Sequence, residues 1–193
     1  MRQYLVALRA LLAFTVVTGL AYPLVITGIG QLAFHRQANG SLVRYAGHDV
    51  GSSLLGQSFV DAKGVPLPQW FQSRPGTYDG LASGASNLGP NSPDLTKTLA
   101  DRRTEVAQFD GVSPAHVPAD AVTASASGLD PDISAAYAYQ QVDRVARARG
   151  LDPAAVRRLV EENVQGRSLG FLGEPRVNVL ELNLALLRLA TGR

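Results

Sequence analysis

Between positions 10 and 34 the chain carries no charged side chain and is rich in Leu, Val, Ala and Ile. About 25 such residues at 1.5 Å each span roughly 37 Å as a helix, more than the roughly 30 Å hydrocarbon core of a bilayer. Arg9 on one side and His35–Arg36 on the other bound the span, because burying either cation in lipid is costly. Pro23 removes one helical hydrogen bond and predicts a kink of the kind membrane helices tolerate. No polar face interrupts the run, which argues against a buried helix of a soluble protein. A cleaved leader is the competing reading, with Gly19 and Ala21 before Tyr22 as the small-residue site. The run is too long for the 7–15-residue apolar stretch of a signal peptide, and it continues past that site. A retained single-pass anchor is therefore expected, occupying residues 1–35 with its short tail, ahead of one soluble domain over residues 36–193.

The pattern changes after the span. Residues 37–90 are rich in Gly, Ser and Pro, with short apolar runs at 54–60 and 69–72 that predict strands, Trp70 and Phe71 supplying core area. Ser92–Pro93–Asp94 then reads as an N-cap, a first-turn proline and a first-turn acid, opening a helix that closes near Phe109–Gly111. Leu95, Leu99 and Val106 share one face of it. Residues 117–125 predict a strand. Ser134 caps a helix running to Arg149 and stopped by Gly150. Asp152–Pro153 opens another, with Val156, Leu159, Val160 and Val164 as its stripe and Gly166 as its end. Residues 176–179 predict a strand, and Asn178 with Glu181 predicts a capping box for a last helix over 180–190, with Leu182, Leu186 and Leu189 inward. Helices and strands do not alternate regularly, so the fold class is α+β.

Charge sharpens the anchor and excludes one partner class. Of the 18 Lys and Arg, three precede residue 37, which leaves fifteen beside all sixteen acids in the rest of the chain. The basic pI thus belongs mostly to the N-terminus, and no nucleic-acid partner is indicated. Arg144, Arg147 and Arg149 read as a solvated helix face. Arg2 and Arg9 on one flank of the span, against Arg36 and Arg44 on the other, favour a cytoplasmic N-terminus and an extracytoplasmic domain. There is no Cys, hence no disulfide or thiolate chemistry.

Independent catalysis is not expected. The only lysines, Lys63 and Lys97, do not sit in a phosphate-binding Gly-Lys-Ser/Thr loop, no Ser stands three residues before either, and no G-x-S-x-G nucleophile elbow is expected. His35, His48 and His116 lie far apart without metal-ligand spacing, and His48–Asp49 reads as a loop pair. One stretch stands out: Ser83–Gly84–Ala85–Ser86–Asn87–Leu88–Gly89–Pro90, just before the Ser92-capped helix. Its hydroxyls and backbone N–H groups suit an anion beside a helix N-terminus. It suits equally a tight turn in which Asn87 and the glycines meet left-handed backbone demands.

With this stretch, a series of others resembles the KdpC family, the C subunit of the bacterial Kdp potassium-transporting P-type ATPase. They are Gly56–Gln57–Ser58–Phe59, Trp70–Phe71 with Arg74–Pro75, Val117–Pro118–Ala119–Asp120, and Thr123–Ala124–Ser125–Ala126–Ser127–Gly128–Leu129–Asp130–Pro131. Gln141–Val142–Asp143–Arg144–Val145–Ala146 and Gly173–Glu174–Pro175–Arg176–Val177–Asn178–Val179–Leu180 complete the set. Each alone is weak, but their order along nearly the whole chain is specific. The resemblance implies an accessory, non-hydrolysing subunit with one transmembrane helix in the bacterial inner membrane. Its implied partners are a potassium-translocating subunit, an ATP-hydrolysing subunit and membrane lipid. It further implies help in assembly or a raised ATP affinity of the catalytic subunit, with Ser83, Gly84, Ser86 and Asn87 as the nucleotide contacts. Ala85 stands where the family often has Gly. ATP would be shared with the catalytic subunit; no cofactor or metal of the chain's own and no catalytic residue is implied. A nucleotide role and an extracytoplasmic domain exclude each other, since ATP is cytoplasmic. A membrane-anchored extracytoplasmic hydrolase and a ligand-binding module using residues 83–87 are the alternatives.

Overall fold

The computed structural model describes residues 2–191, which divide into two compact units between Leu42 and Val43. In the first, helices α1 (Arg2–Val16) and α2 (Tyr22–Ala33) flank a π-helical turn, Val17–Ala21. Together they form one helix long and apolar enough to cross a membrane. The π turn has a cause. Pro23 has no N–H to give the turn before it, and the ladder widens there, the Tyr22 N–H reaching Val17 O five residues back. Thr15 and Thr18 return their hydroxyls to the carbonyls of Leu11 and Phe14, at 2.8 and 2.6 Å, so no polar group of theirs faces lipid unpaired. Phe34 breaks the helix, and the one-turn α3 (His35–Ala38) follows.

The second unit is α+β, as the pattern of elements predicts. A hairpin of β1 (Leu42–Tyr45) and β2 (His48–Ser52) leads into a long irregular stretch. Then come α4 (Pro93–Asp110), two 3₁₀ turns at Pro114–His116 and Ala119–Ala121, β3 (Asp132–Ser134), α5 (Ala135–Gln140) and α6 (Val142–Arg149). Helix α7 (Pro153–Asn163), β4 (Val164–Gln165), β5 (Arg176–Asn178) and α8 (Val179–Ala190) complete it. Strand β5 lies between β3 and β4, antiparallel to both, so Val177 faces Ile133 on one side and Val164 on the other. The helices pack on this small sheet through Phe71, Tyr137, Val142, Val145, Val156, Val160, Leu182 and Leu186, all buried. Each such side chain contributes roughly 1.5–3 kcal/mol by leaving water.

The helix signals hold where capping chemistry is local. Oγ of Ser92, Oγ of Ser134, Oδ1 of Asp152 and Oδ1 of Asn178 each accept a first-turn N–H, from Leu95, Tyr137, Ala154 and Glu181. Gly111 and Gly150 close α4 and α6 in the left-handed conformation, at φ 72° and 65°. Helix α7 ends at Asn163, before Gly166, because Val164 enters β4.

Six expectations are corrected. Residues 54–60 and 69–72 form no strand; the latter leave a turn over 67–70, and side chains take the place of a neighbouring strand at Phe71 and Gln72. The Phe71 N–H donates to Asn183 Oδ1 at 2.9 Å and Phe71 O accepts from Asn183 Nδ2 at 3.0 Å. Gln141 does the same to Gln72, accepting at 2.6 Å and donating at 3.1 Å. Residues 117–125 are likewise not a strand. Pro118 cannot donate to a ladder, and Asp120 instead accepts the backbone N–H and the hydroxyl of Ser134, at 2.7 and 2.9 Å. The helix expected over 134–149 is broken at Gln141, the residue whose side chain bonds Gln72. Finally, Arg144 is not solvated. It is 5% exposed, paired with a 1% exposed Asp110 at 2.7 Å, and lies over the Phe109 ring at 4.4 Å. His48 and Asp49 belong to β2 rather than to a loop, with Asp49 bonded to Arg44 at 2.6 Å.

Candidate functional site

Stretches far apart in sequence meet in one loop cluster built around Arg74. Its Nη1 bonds Asp130 Oδ2 at 2.8 Å, and its guanidinium also reaches the carbonyls of Thr123 and Ala124, at 3.4 Å each. Around this centre the backbones are cross-tied. The N–H groups of Gly56, Tyr78 and Gly84 donate to the carbonyls of Leu129, Gly128 and Ser127, at 2.8, 3.1 and 2.9 Å. Ser125 N–H donates to Pro75 O at 3.3 Å, and the Ser73 hydroxyl to Gln57 O at 3.0 Å. The turn at 125–128 holds itself: Ser125 Oγ accepts from the N–H groups of Ser127 and Gly128, both at 3.1 Å. Gly56 is required by close approach, since a Cβ there would lie 2.5 Å from Asp130 O and against the Tyr78 ring.

Burial sets the electrostatics. The Tyr78 hydroxyl donates to Arg74 O at 2.6 Å, and burial pushes its pKa up to about 12, so it stays a neutral donor. Asp132 pairs with Arg176 at 2.9 Å, yet burial outweighs that cation and raises its carboxyl above the ordinary value. Between the cluster and α4 lies a cleft of about 460 Å³, with Tyr78, Tyr137, Val106 and Phe109 among its apolar walls and Arg74, Arg102 and Glu105 as its charges.

The serine–glycine stretch is an exposed segment at the rim of this cluster. Ser83 Oγ donates to Ser127 O at 3.1 Å, the carbonyl that also takes the Gly84 N–H. Asn87 adopts φ 54°, the left-handed turn position foreseen for it. Ser86 and Asn87 are exposed, with the capped start of α4 a few residues on. Two of the four expected contact residues thus have a donor already engaged, and two are open. No group of three or more metal-ligating side chains comes together among the described residues. A G-x-S-x-G spacing does occur, at Gly166–Arg167–Ser168–Leu169–Gly170. It forms no nucleophile elbow: Ser168 pairs with Leu172 in a short β-bridge, and no helix starts at the serine.

The organising residues Arg74 and Asp130 lie 56 positions apart, and nothing in one sequence pairs them. The signal available was indirect, an Arg and an Asp each next to a proline in Gly-rich loops.

Comparison with known proteins identifies the family. A family model described as the K+-transporting ATPase c chain, KdpC, matches residues 4–188. The potassium-transporting ATPase KdpC subunit of Kineococcus radiotolerans is 52% identical over 190 residues, covering 96% of this chain and 93% of the relative. That of Sorangium cellulosum is 54% identical over 185 residues, covering 93% and 94%. That of Streptomyces coelicolor is 47% identical over 209, covering 97% and 93%. With a candidate membrane helix and an α+β domain matched over nearly their full length, the chain belongs to the KdpC family of potassium-transporting ATPase subunits.

Proposed function

We propose that the chain is the accessory, non-hydrolysing subunit of an ATP-driven, high-affinity potassium uptake complex in the bacterial inner membrane. It assists assembly by holding the Arg74-centred loop cluster against the potassium-translocating subunit, beside the ATP-hydrolysing one. The N-terminus is cytoplasmic and the domain extracytoplasmic. The observation carrying this reading is the cross-tied cluster: four chain segments fixed by backbone bonds and one guanidinium, with Leu54 and Leu55 left exposed beside it. A rigid face with uncovered apolar side chains suits docking, because little order is lost when a partner binds. The test is purification of the full chain from membranes in mild detergent. Two larger polytopic subunits accompany it on this reading; recovery of a monodisperse lone chain overturns it.

A second reading, a raised ATP affinity of the catalytic subunit, is supported by the left-handed Asn87 and the helix N-terminus following it. Ser83, Gly84, Ser86 and Asn87 are its contacts. The engaged Ser83 hydroxyl and Gly84 N–H weigh against it, as does an extracytoplasmic domain. Saturable ATP binding by the detergent-solubilised full chain below millimolar concentration would support it. A C-terminal reporter active only after export would exclude it.

A further inference from the structure

Between β4 and β5 the chain makes a tongue, residues 166–175, whose tip presents Leu169, Phe171 and Leu172 to water at 83%, 69% and 51% exposure. Three large apolar side chains in four residues are not scattered surface. Nor is the tip slack. Ser168 and Leu172 exchange both backbone hydrogen bonds at 2.9 Å, and the N–H groups of Gly170 and Phe171 close on Arg167 O and Ser168 O. The base is clamped by Arg167 and Glu174 at 2.8 Å. Leu169 is held at φ 54°, a conformation a leucine side chain disfavours and one that persists only where its surroundings impose it. An ordered, strained turn that displays apolar side chains is preorganised for a contact.

Charge and size select the occupant. Both cations of the tongue's neighbourhood are engaged, Arg167 by Glu174 and Arg176 by Asp132, and Glu174 is exposed. An anionic lipid surface calls for unpaired Lys or Arg beside the apolar side chains. A tip meeting its own copy covers only a few hundred Å², against roughly 800 Å² per partner in a standard interface. A small, neutral, apolar knob fits a recess in a protein bound mainly through other surfaces. We propose that the tongue tip, with Phe171 at its centre, inserts into an apolar recess on a polytopic partner subunit of the same potassium-transporting complex. This rests on the subunit reading above.

The test uses the whole complex in native membranes, with Phe171→p-benzoylphenylalanine and, as control, Glu162→p-benzoylphenylalanine on the exposed side of α7. Irradiation is expected to join Phe171, and not Glu162, to a larger subunit. The pair Leu169→Ser and Phe171→Ser is expected to lower recovery of the larger subunits at least threefold while the thermal melt of the chain stays unchanged. An intact complex whose Phe171 adducts are only lipid, the chain's own copy, or absent overturns the tongue assignment alone. If the unsubstituted chain recovers no larger subunit, the subunit reading falls and this contact with it.

Discussion

Residues 92–191 and residues 53–91 satisfy their backbones by different routes. The C-terminal part makes its own elements, with helices started by their own caps and a three-stranded sheet internal to it. The N-terminal part has no helix or strand; besides turns of its own and the backbone ties to residues 125–129, it is held by side chains of the other. Arg144 donates to the carbonyls of Pro68 and Trp70 at 2.5 and 2.9 Å, and Arg149 to that of Gln69 at 2.7 Å. Asn183 and Gln141 hold Phe71 and Gln72 from both sides. Within the loop-rich part, the 68–72 stretch that leads into Arg74 therefore has its shape set by a few polar side chains on helices. Its weak points are single residues elsewhere in the chain.

Arg144→Ala tests that dependence most severely. It strands Asp110, which then has only Gln140 Nε2 at 2.7 Å, and frees two carbonyls. Breaking a buried pair by removing one partner costs about 3–5 kcal/mol. Denaturant unfolding of the detergent-solubilised chain should show that loss. A loss below about 1 kcal/mol would mean the 68–72 stretch holds itself. Asn183→Leu keeps the branched shape and removes the amide, leaving two buried groups of Phe71 unpaired, at roughly 1–3 kcal/mol each. Asn183→Ala adds a cavity. A wild-type-like Asn183→Leu would show that packing of Phe71, not its hydrogen bonds, anchors the segment.

Helices were legible in the sequence because capping is local: Ser92, Ser134, Asp152 and Asn178 bond residues two or three positions on, and proline and glycine mark the same ends. The strands at 54–60, 69–72 and 117–125 were misread because apolar content does not reveal what supplies the hydrogen bonds. At Phe71 the supplier lies 112 positions away. Arg144 was misread for the same reason: its partner Asp110 is 34 positions back, so helical periodicity could not mark it as buried. The site was legible only as an ordered set of stretches; that Arg74 meets Asp130 is a tertiary fact.

Two smaller effects distinguish the halves further. Gly56→Ala forces a methyl against Asp130 O and the Tyr78 ring. A backbone shift of this kind costs about 1–3 kcal/mol, and it should separate the loops while leaving the helices folded. Hydrogen exchange at the Gly56 and Tyr78 amides would rise with little change in α7. Asp152→Ala does the reverse. It removes the cap of α7, worth about 1 kcal/mol, and should speed exchange in the first turn of that helix only. Equal spreading of either effect through both parts would erase the distinction.

The smallest effect is a slope, beside the salt bridge that joins the halves. Burial raises the Asp132 carboxyl above its ordinary 3.8, with Arg176 opposing and Asp130 adding to the rise. A raised acid binds its proton more tightly folded than unfolded. Its contribution to stability is therefore full below the ordinary value and is lost as pH rises through the folded-state value. Asp132→Asn cannot titrate, so its stability relative to wild type should improve as pH climbs from below the ordinary carboxyl value through the raised folded-state one, and level off above it. The lost pairing with Arg176, a partly exposed bridge worth at most about 1 kcal/mol, offsets the curve by a constant where both groups are charged. Thermal melts of both chains across that window read the slope. A relative stability that falls with rising pH would mean Arg176 dominates the carboxylate, and that the edge of β3 is held by charge rather than penalised by burial.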